Sequence, residues 1–231
     1  MPTTEIETEI HRIRLKGVNA WLVRSGERWL LVDTGKPRSS SALMAGIRFA
    51  GCKPADISLV VLSHAHYDHV GCARRIKEIS SAPIAIHRLE AEVLRSGRFV
   101  VSDGLNAMGR FKAFMGRHVV PHIFFSFQPV EPDVIIDSDV RLDNLGFPAS
   151  IIHTPGHSEG SISVLFDDGR IFTGDLTITQ PLPGIWRHMP IYGSSIAGIK
   201  RTWRRILDMG AKHIYPSHGA DFPADELAEW L

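Results

Sequence analysis

Six residues constrain this chain more than any other part of it: His64-Ala65-His66-Tyr67-Asp68-His69. They follow Ile57-Ser58-Leu59-Val60-Val61-Leu62, a continuous apolar run of strand length and of the kind buried on both faces of a parallel sheet. On extended backbone, side chains two residues apart point the same way, so His64 and His66 can reach one point. The chain then turns into a helix-like segment over about 70–80, which lets Asp68 and His69 face a second point nearby. Four potential ligands within six residues, placed where a buried strand ends, make two half-built metal sites. The fold must therefore bring further ligands to that strand end.

Three downstream segments qualify. His157 lies in His153-Thr154-Pro155-Gly156-His157, after a strand expected at 149–153. Asp175 follows Phe172-Thr173-Gly174, after a strand at 170–173, and His218 lies in Pro216-Ser217-His218-Gly219, after an apolar run at 213–215. Each alone reads as a loop residue. Together they share one context, a strand end beside glycine, where backbone can approach a crowded centre. Nitrogen and oxygen donors without thiolate suit zinc, and also iron or manganese.

The rest of the pattern is that of two sheets with helices outside. Alternating runs at 8–14, 18–24 and 28–33 read as antiparallel strands. An amphipathic helix follows Ser39–Ser41, with Leu43, Met44 and Ile47 inward and Gly51 as its stop, and a further strand is expected at 84–86. Strands are expected again at 133–136 and 161–166. A helix over about 195–209 buries Ile196, Ile199, Trp203, Ile206 and Leu207, and Lys200, Arg201, Arg204 and Arg205 form its solvated face. With 231 residues, 44% of them apolar, one domain spanning 1–231 is the economical expectation. The span 96–146 is longer than a minimal fold needs and reads as a helical and aromatic insertion. Its Met108, Phe111, Phe114 and Met115, then Phe124, Phe125 and Phe127, fit a core or dimer interface as well as a lid that admits an apolar substrate. A homodimer is compatible with the first reading.

These residues resemble the metallo-β-lactamase fold hydrolases, from the Val32-Asp33-Thr34-Gly35 turn to His218. The resemblance implies an α/β fold, a four-layer αββα sandwich of two mixed β-sheets with helices outside and the site at one sheet edge. It implies that His64, His66 and His157 hold one zinc ion, that Asp68, His69 and His218 hold a second, and that Asp175 bridges them. Asp33 would orient the motif loop without touching metal. Asp68 and Asp175 are the catalytic candidates. The implied chemistry is metal-dependent hydrolysis of an ester, thioester or lactone, with a phosphodiester also compatible. The alternative is a persulfide-dioxygenase-like oxidoreductase that binds one iron through His64, His157 and Asp175.

Departures from particular members narrow the substrate. The aspartate at 175 is absent from true β-lactamases. Only 13 residues follow His218, so no glutathione-gripping region of the glyoxalase II kind is expected. Acyl-homoserine lactonases share the 43-residue step from Asp175 to His218, yet carry tyrosine where this chain has Ile178. Flavodiiron proteins have glutamate where His66 stands. Ile178, Trp186, His188 and Tyr192 are expected to wall the pocket, and Tyr67 receives no role. The chain carries 26 basic and 25 acidic residues for a net charge of +1, which argues against nucleic-acid or anionic-membrane partners and leaves a small molecule. The acidic start and the lack of any apolar run near ~18 residues predict a cytoplasmic, soluble protein. Cys52 and Cys72 are expected as reduced core thiols.

Overall fold

Alternation along the first strands sends one set of side chains to each of two cores. The computed structural model describes residues 7–99, 101–120, 125–179 and 187–231. β1 (Thr8–Leu15) and β2 (Val18–Ser25) form a hairpin, with Leu15 opposite Val18 and Gly17 at φ +80° in the turn. β3 (Arg28–Val32) returns antiparallel to β2. β4 (Ile57–Val61), β5 (Ile84–His87) and β6 (Val134–Ile136) then add in parallel. Parallel neighbours need crossovers. α1 (Ser40–Phe49) supplies the first, α2 (Tyr67–Val70) with α3 (Ala73–Ser80) the second, and α4 (Arg88–Ser96) begins the third. The helix expected over about 70–80 is thus two helices. They part at Gly71, where an added Cβ would sit 2.1 Å from the Pro37 nitrogen.

The third crossover also holds α5 (Ala107–His118). The helical part of 96–146 is this element. The remainder of the stretch yields β6 and β7 (Val140–Arg141), which close one edge of each sheet. In the second sheet β7, β8 (Ala149–His153), β9 (Ile162–Phe166) and β10 (Arg170–Ile178) run antiparallel in succession. α6 (Ile196–Asp208) then crosses over to β11 (His213–His218), parallel to β10, and β12 (Phe222–Pro223) pairs with β11 at the other edge.

Trp21, Val23, Leu30, Val32 and Leu59 of the first sheet meet Ile151, Val164, Phe166 and Phe172 of the second in a core between the sheets. Their chain neighbours Leu22, Leu31 and Val60 face the other way, onto Leu43, Ile47, Ile76 and Leu94 of the helices. Behind the second sheet, Ile152, Ile171 and Ile214 pack on Ile199, Trp203 and Ile206 of α6. The result is the four-layer αββα sandwich. The α6 residues recur at i, i+4 and i+7 and are fully buried, each contributing about 1.5–3 kcal/mol of apolar burial. Trp203 also donates its indole N–H to the Leu176 carbonyl at 3.0 Å. The basic side of α6 is not solvated throughout: Arg205 clamps the His153 carbonyl and Asp139. No helix among the described residues is long and apolar enough to cross a membrane.

Candidate metal centre

β4 ends beneath the turn that follows β3, and that turn fixes the histidine motif. Asp33 is fully buried and sits at φ +61°, in the left-handed region. Its Oδ1 accepts the Ser63 backbone N–H at 2.8 Å. Its Oδ2 accepts Ser63 Oγ at 2.8 Å, Ser217 Oγ at 2.9 Å and His69 Nδ1–H at 2.8 Å. Thr34 closes the clamp by donating both its N–H and its hydroxyl to the His69 carbonyl. One carboxylate thus ties together the start of the motif, its last histidine and the strand that delivers His218.

The same rule holds around the centre: one nitrogen of each imidazole is engaged by a neighbour and the other faces inward. His64 Nδ1 lies 3.0 Å from Ser63 Oγ, His66 Nε2 lies 3.0 Å from Ser102 Oγ, and His157 Nδ1–H donates to the Tyr192 carbonyl at 3.0 Å. His218 Nδ1–H donates to the Gly17 carbonyl at 2.7 Å, so the β1–β2 hairpin aims a residue 201 positions away. Such partners set the tautomer and orient a ligating ring. The inward atoms converge. His66 Nδ1 is 3.0 Å from His157 Nε2. Asp175 Oδ1 is 3.4 Å from both His69 Nε2 and His218 Nε2, its Oδ2 is 3.7 Å from His157 Nε2, and Asp68 Oδ2 is 3.6 Å from His218 Nε2.

Burial, then the neighbouring imidazoles, pushes the His64 and His66 pKa values well below the usual histidine range. Burial lowers that of His157 as well. These rings keep free lone pairs at neutral pH. Burial would lower His69 and His218 too, but the Asp175 carboxylate outweighs it in both and raises them, with help from Asp33 at His69. Burial alone would raise Asp175, yet His218 and His69 hold it well below the carboxylate range. A cation at this point would compete with protons for those nitrogens.

Three groups have ligand atoms mutually within 4.8 Å: His64, His66 and His157; His64, His69 and Asp175; and Asp68, His69 and His218. Within them His64 Nε2, His69 Nε2 and Asp175 Oδ1 are buried without a hydrogen-bond partner. A buried polar atom left unpaired costs about 1–3 kcal/mol, and a cation at this point could satisfy all three. All seven sequence candidates meet here, and Asp33 stands behind them. Glu90 gave no sequence signal, being one acid on an amphipathic helix. It is buried on α4, and its Oε2 accepts the Ala65 N–H at 3.0 Å between the two leading histidines.

His66, Asp68, His157, Asp175 and His218 line a cavity of about 320 Å³ with Phe99, Val101, Phe125 and Ile191 among its walls. Of the expected wall residues, Ile178 and Tyr192 line it, and Trp186 lies outside the described residues. His188 does not line it. Its backbone carbonyl pairs with the Ile178 N–H, while its ring turns away to stack on Phe222 and pair with Glu226 at 3.0 Å. Phe125 walls the cavity and Phe127 is buried in the helix-side core; Phe124 lies outside the described residues. Met108, Phe111 and Phe114 are exposed on α5, whose buried face is Gly109, Ala113 and Gly116. The core reading is therefore overturned for these three, while Met115 is half-buried.

The family profile described as the metallo-beta-lactamase superfamily matches residues 13–218. The chain is 30% identical over 228 residues to the acyl-coenzyme A thioesterase MBLAC2 of Bos taurus, covering 90% of this chain and 75% of that protein. It is 28% identical over 204 residues to a Methanocaldococcus jannaschii protein named "Probable metallo-hydrolase MJ0888", covering 87% of each. Among solved structures it superposes on a metallo-beta-lactamase family protein from Thermus thermophilus with a TM-score of 0.68 at 19% identity, covering 96% of this chain and 77% of that one. At that identity the match bears on the fold alone.

Proposed function

The chain belongs to the metallo-beta-lactamase superfamily of metallo-hydrolases, and on that premise we propose that it cleaves an acyl thioester, or a related ester or lactone, with two zinc ions. His64 Nε2, His66 Nδ1 and His157 Nε2 would hold one ion. Asp68, His69 Nε2 and His218 Nε2 would hold the other, and Asp175 would face both sets through its two oxygens. Zinc held there would supply a water nucleophile at neutral pH and Lewis acidity toward the carbonyl.

The protein's own groups do the remaining work. Asp33 keeps the proton of His69 on Nδ1, so that Nε2 stays available. Asp68 lines the cavity and would accept a hydrogen of the attacking water and orient it. Phe99, Val101, Phe125 and Ile191 exclude bulk water and accept an apolar acyl group. The thioesterase named among the relatives supports the thioester as first choice.

One observation carries this reading: every inward-facing imidazole nitrogen has its ring-mate committed to a fixed partner. The buried His69 Nε2 supports two ions over one. A single iron on His64, His157 and Asp175 would leave His69 Nε2 buried, unpaired and without a role.

The test is elemental analysis of protein purified without added metal, then a panel of acyl-coenzyme A thioesters, esters, lactones and phosphodiesters. We expect about two zinc ions per chain and thioester or ester turnover that falls roughly 10²–10³-fold in His64→Ala and Asp175→Ala. Unchanged turnover in both folded variants, or turnover of phosphodiesters alone, refutes the acyl-hydrolase reading. About one iron per chain with oxygen uptake would replace it with the oxidoreductase.

A further inference from the structure

α5 is packed inside out. Its buried face is made of small residues, Gly109, Ala113 and Gly116, and its large apolar residues point to solvent. The reason lies beneath it. A Cβ at Gly109 would stand 2.4 Å from the Ile191 carbonyl oxygen, and one at Gly116 would stand 3.2 Å from Val101, both wall residues of the cavity. The helix thus lies against the cavity wall with no room for larger side chains on its inner face. Phe111 is 65% exposed, Phe114 57% and Met108 46%, and Val119 just beyond the helix is 57% exposed. Of the ten large hydrophobics exposed among the described residues, these four fall within twelve positions, which sets α5 apart from the isolated exposed residues found on any surface.

The charge on this helix decides what can cover it. α5 carries Arg110, Lys112, Arg117 and His118 and no acid. Asp103 engages Arg117, whereas Arg110 and Lys112 have no ion-pair or hydrogen-bond partner for their side-chain cations among the described residues. The whole-chain balance of 26 basic and 25 acidic residues hides this local excess. A second copy would set two such cationic helices against each other, a like-charge contact that opposes pairing. A surface apolar at depth and anionic at its boundary complements both features at once, with aromatic rings entering the acyl boundary and Arg110 and Lys112 meeting phosphate or carboxylate headgroups.

We propose that α5 is a docking surface for an anionic lipid bilayer, which it meets peripherally and without spanning it. Lys112 and Gly116 also line the catalytic cavity, so docking would set the cavity mouth beside the membrane boundary. The inference stands apart from the choice of reaction, since binding needs neither metal nor substrate.

The test is cosedimentation of the full chain with vesicles of phosphatidylcholine alone and of phosphatidylcholine mixed with phosphatidylserine. We expect partitioning onto the mixed vesicles at least about tenfold stronger than onto phosphatidylcholine, and weaker in high salt. Phe111→Ser with Phe114→Ser should reduce it by at least about tenfold. Arg110→Gln should reduce it about fivefold. Both variants replace exposed side chains, so circular dichroism and thermal melting should match the parent. The proposal is overturned if the parent chain binds neither vesicle, or if the double variant binds as the parent does. A parent dimer that the double variant converts to monomer would also overturn it, assigning the stripe to a second copy.

Discussion

Asp33→Asn changes one oxygen to nitrogen and, by the geometry around it, should disable one half of the metal centre. Asparagine tolerates the left-handed backbone that Asp33 adopts at φ +61°, so the main chain has no reason to move. The carboxylate accepts four donors, three of them on Oδ2: Ser63 Oγ, His69 Nδ1 and Ser217 Oγ. With the amide carbonyl kept toward the Ser63 N–H, the new NH₂ group faces all three. The two serine hydroxyls can rotate to become acceptors. His69 cannot rotate away, being fully buried, so it must accept on Nδ1 and carry its proton on Nε2. That nitrogen is the inward one, 3.4 Å from Asp175 Oδ1, and a proton there blocks ligation.

Relative to the parent chain, the ligating tautomer of His69 has lost a charge-assisted hydrogen bond worth about 1.5–3 kcal/mol. That corresponds to roughly 10–100-fold in affinity, the range known for partners of ligating histidines. The assay is titration of metal-free protein with zinc against a chromophoric chelator that resolves two equivalents. We expect the ion held by Asp68, His69 and His218 to weaken by that factor, while the ion on His64, His66 and His157 stays within about threefold. Two equivalents bound as tightly as in the parent chain, with the variant folded, would show that Asp33 does not control the His69 tautomer.

Three further outcomes are expected. Gly174→Ala places a Cβ 2.6 Å from the Ser63 Cβ and Oγ at a residue with φ +55°, and should lower stability by about 1–3 kcal/mol and reduce copurifying metal; an unchanged melting curve and metal content would count against the packing described. Glu90→Ala strands the buried Ala65 N–H and should cost about 1–3 kcal/mol in denaturant titration, whereas Glu90→Gln keeps an acceptor and should cost less than half as much; equal losses would mean the side chain only fills space. Burial pushes the Cys52 thiol up to about 12, reinforced by Asp56, and the Cys72 thiol up to about 11. Both should resist Ellman's reagent at pH 8 until the chain unfolds, and then react together. Because an unfolded thiol ionises near 8.5, these two groups favour the folded state at neutral pH and withdraw that support as pH rises above about 9; rapid labelling of the native protein or rising stability over that interval would contradict the burial.

Most of the elements and the candidate ligands were legible in local sequence. Alternation at 18–24 and 28–33 marked strands whose two faces enter two different cores, and the 3.6-residue period of Ile199, Trp203 and Ile206 marked a helix lying on one of them. The run before His64 marked a strand end, and glycine beside His157, Asp175 and His218 marked ligands that the structure brings to one point, although Asp175 lies within β10, which runs on to Ile178, and His218 is the last residue of β11 rather than beyond it. These features are legible because periodicity and turn chemistry reside in neighbouring residues.

The remaining contacts join residues far apart in the chain. Glu90 holds Ala65, Gly17 fixes the tautomer of His218, and Ser217 reaches Asp33, and none of these pairs leaves a local pattern. The ring of His188 was drawn toward Phe222 and Glu226 by the chain's last turn, away from the cavity beside which its backbone runs. The aromatic stripe of α5 has helical spacing whether it faces a core or solvent. Its direction was settled by the nearness of the Ile191 carbonyl and Val101, which only glycine and alanine can approach. A period gives the apolar face of a helix; which face turns inward depends on the space the rest of the fold leaves beneath it.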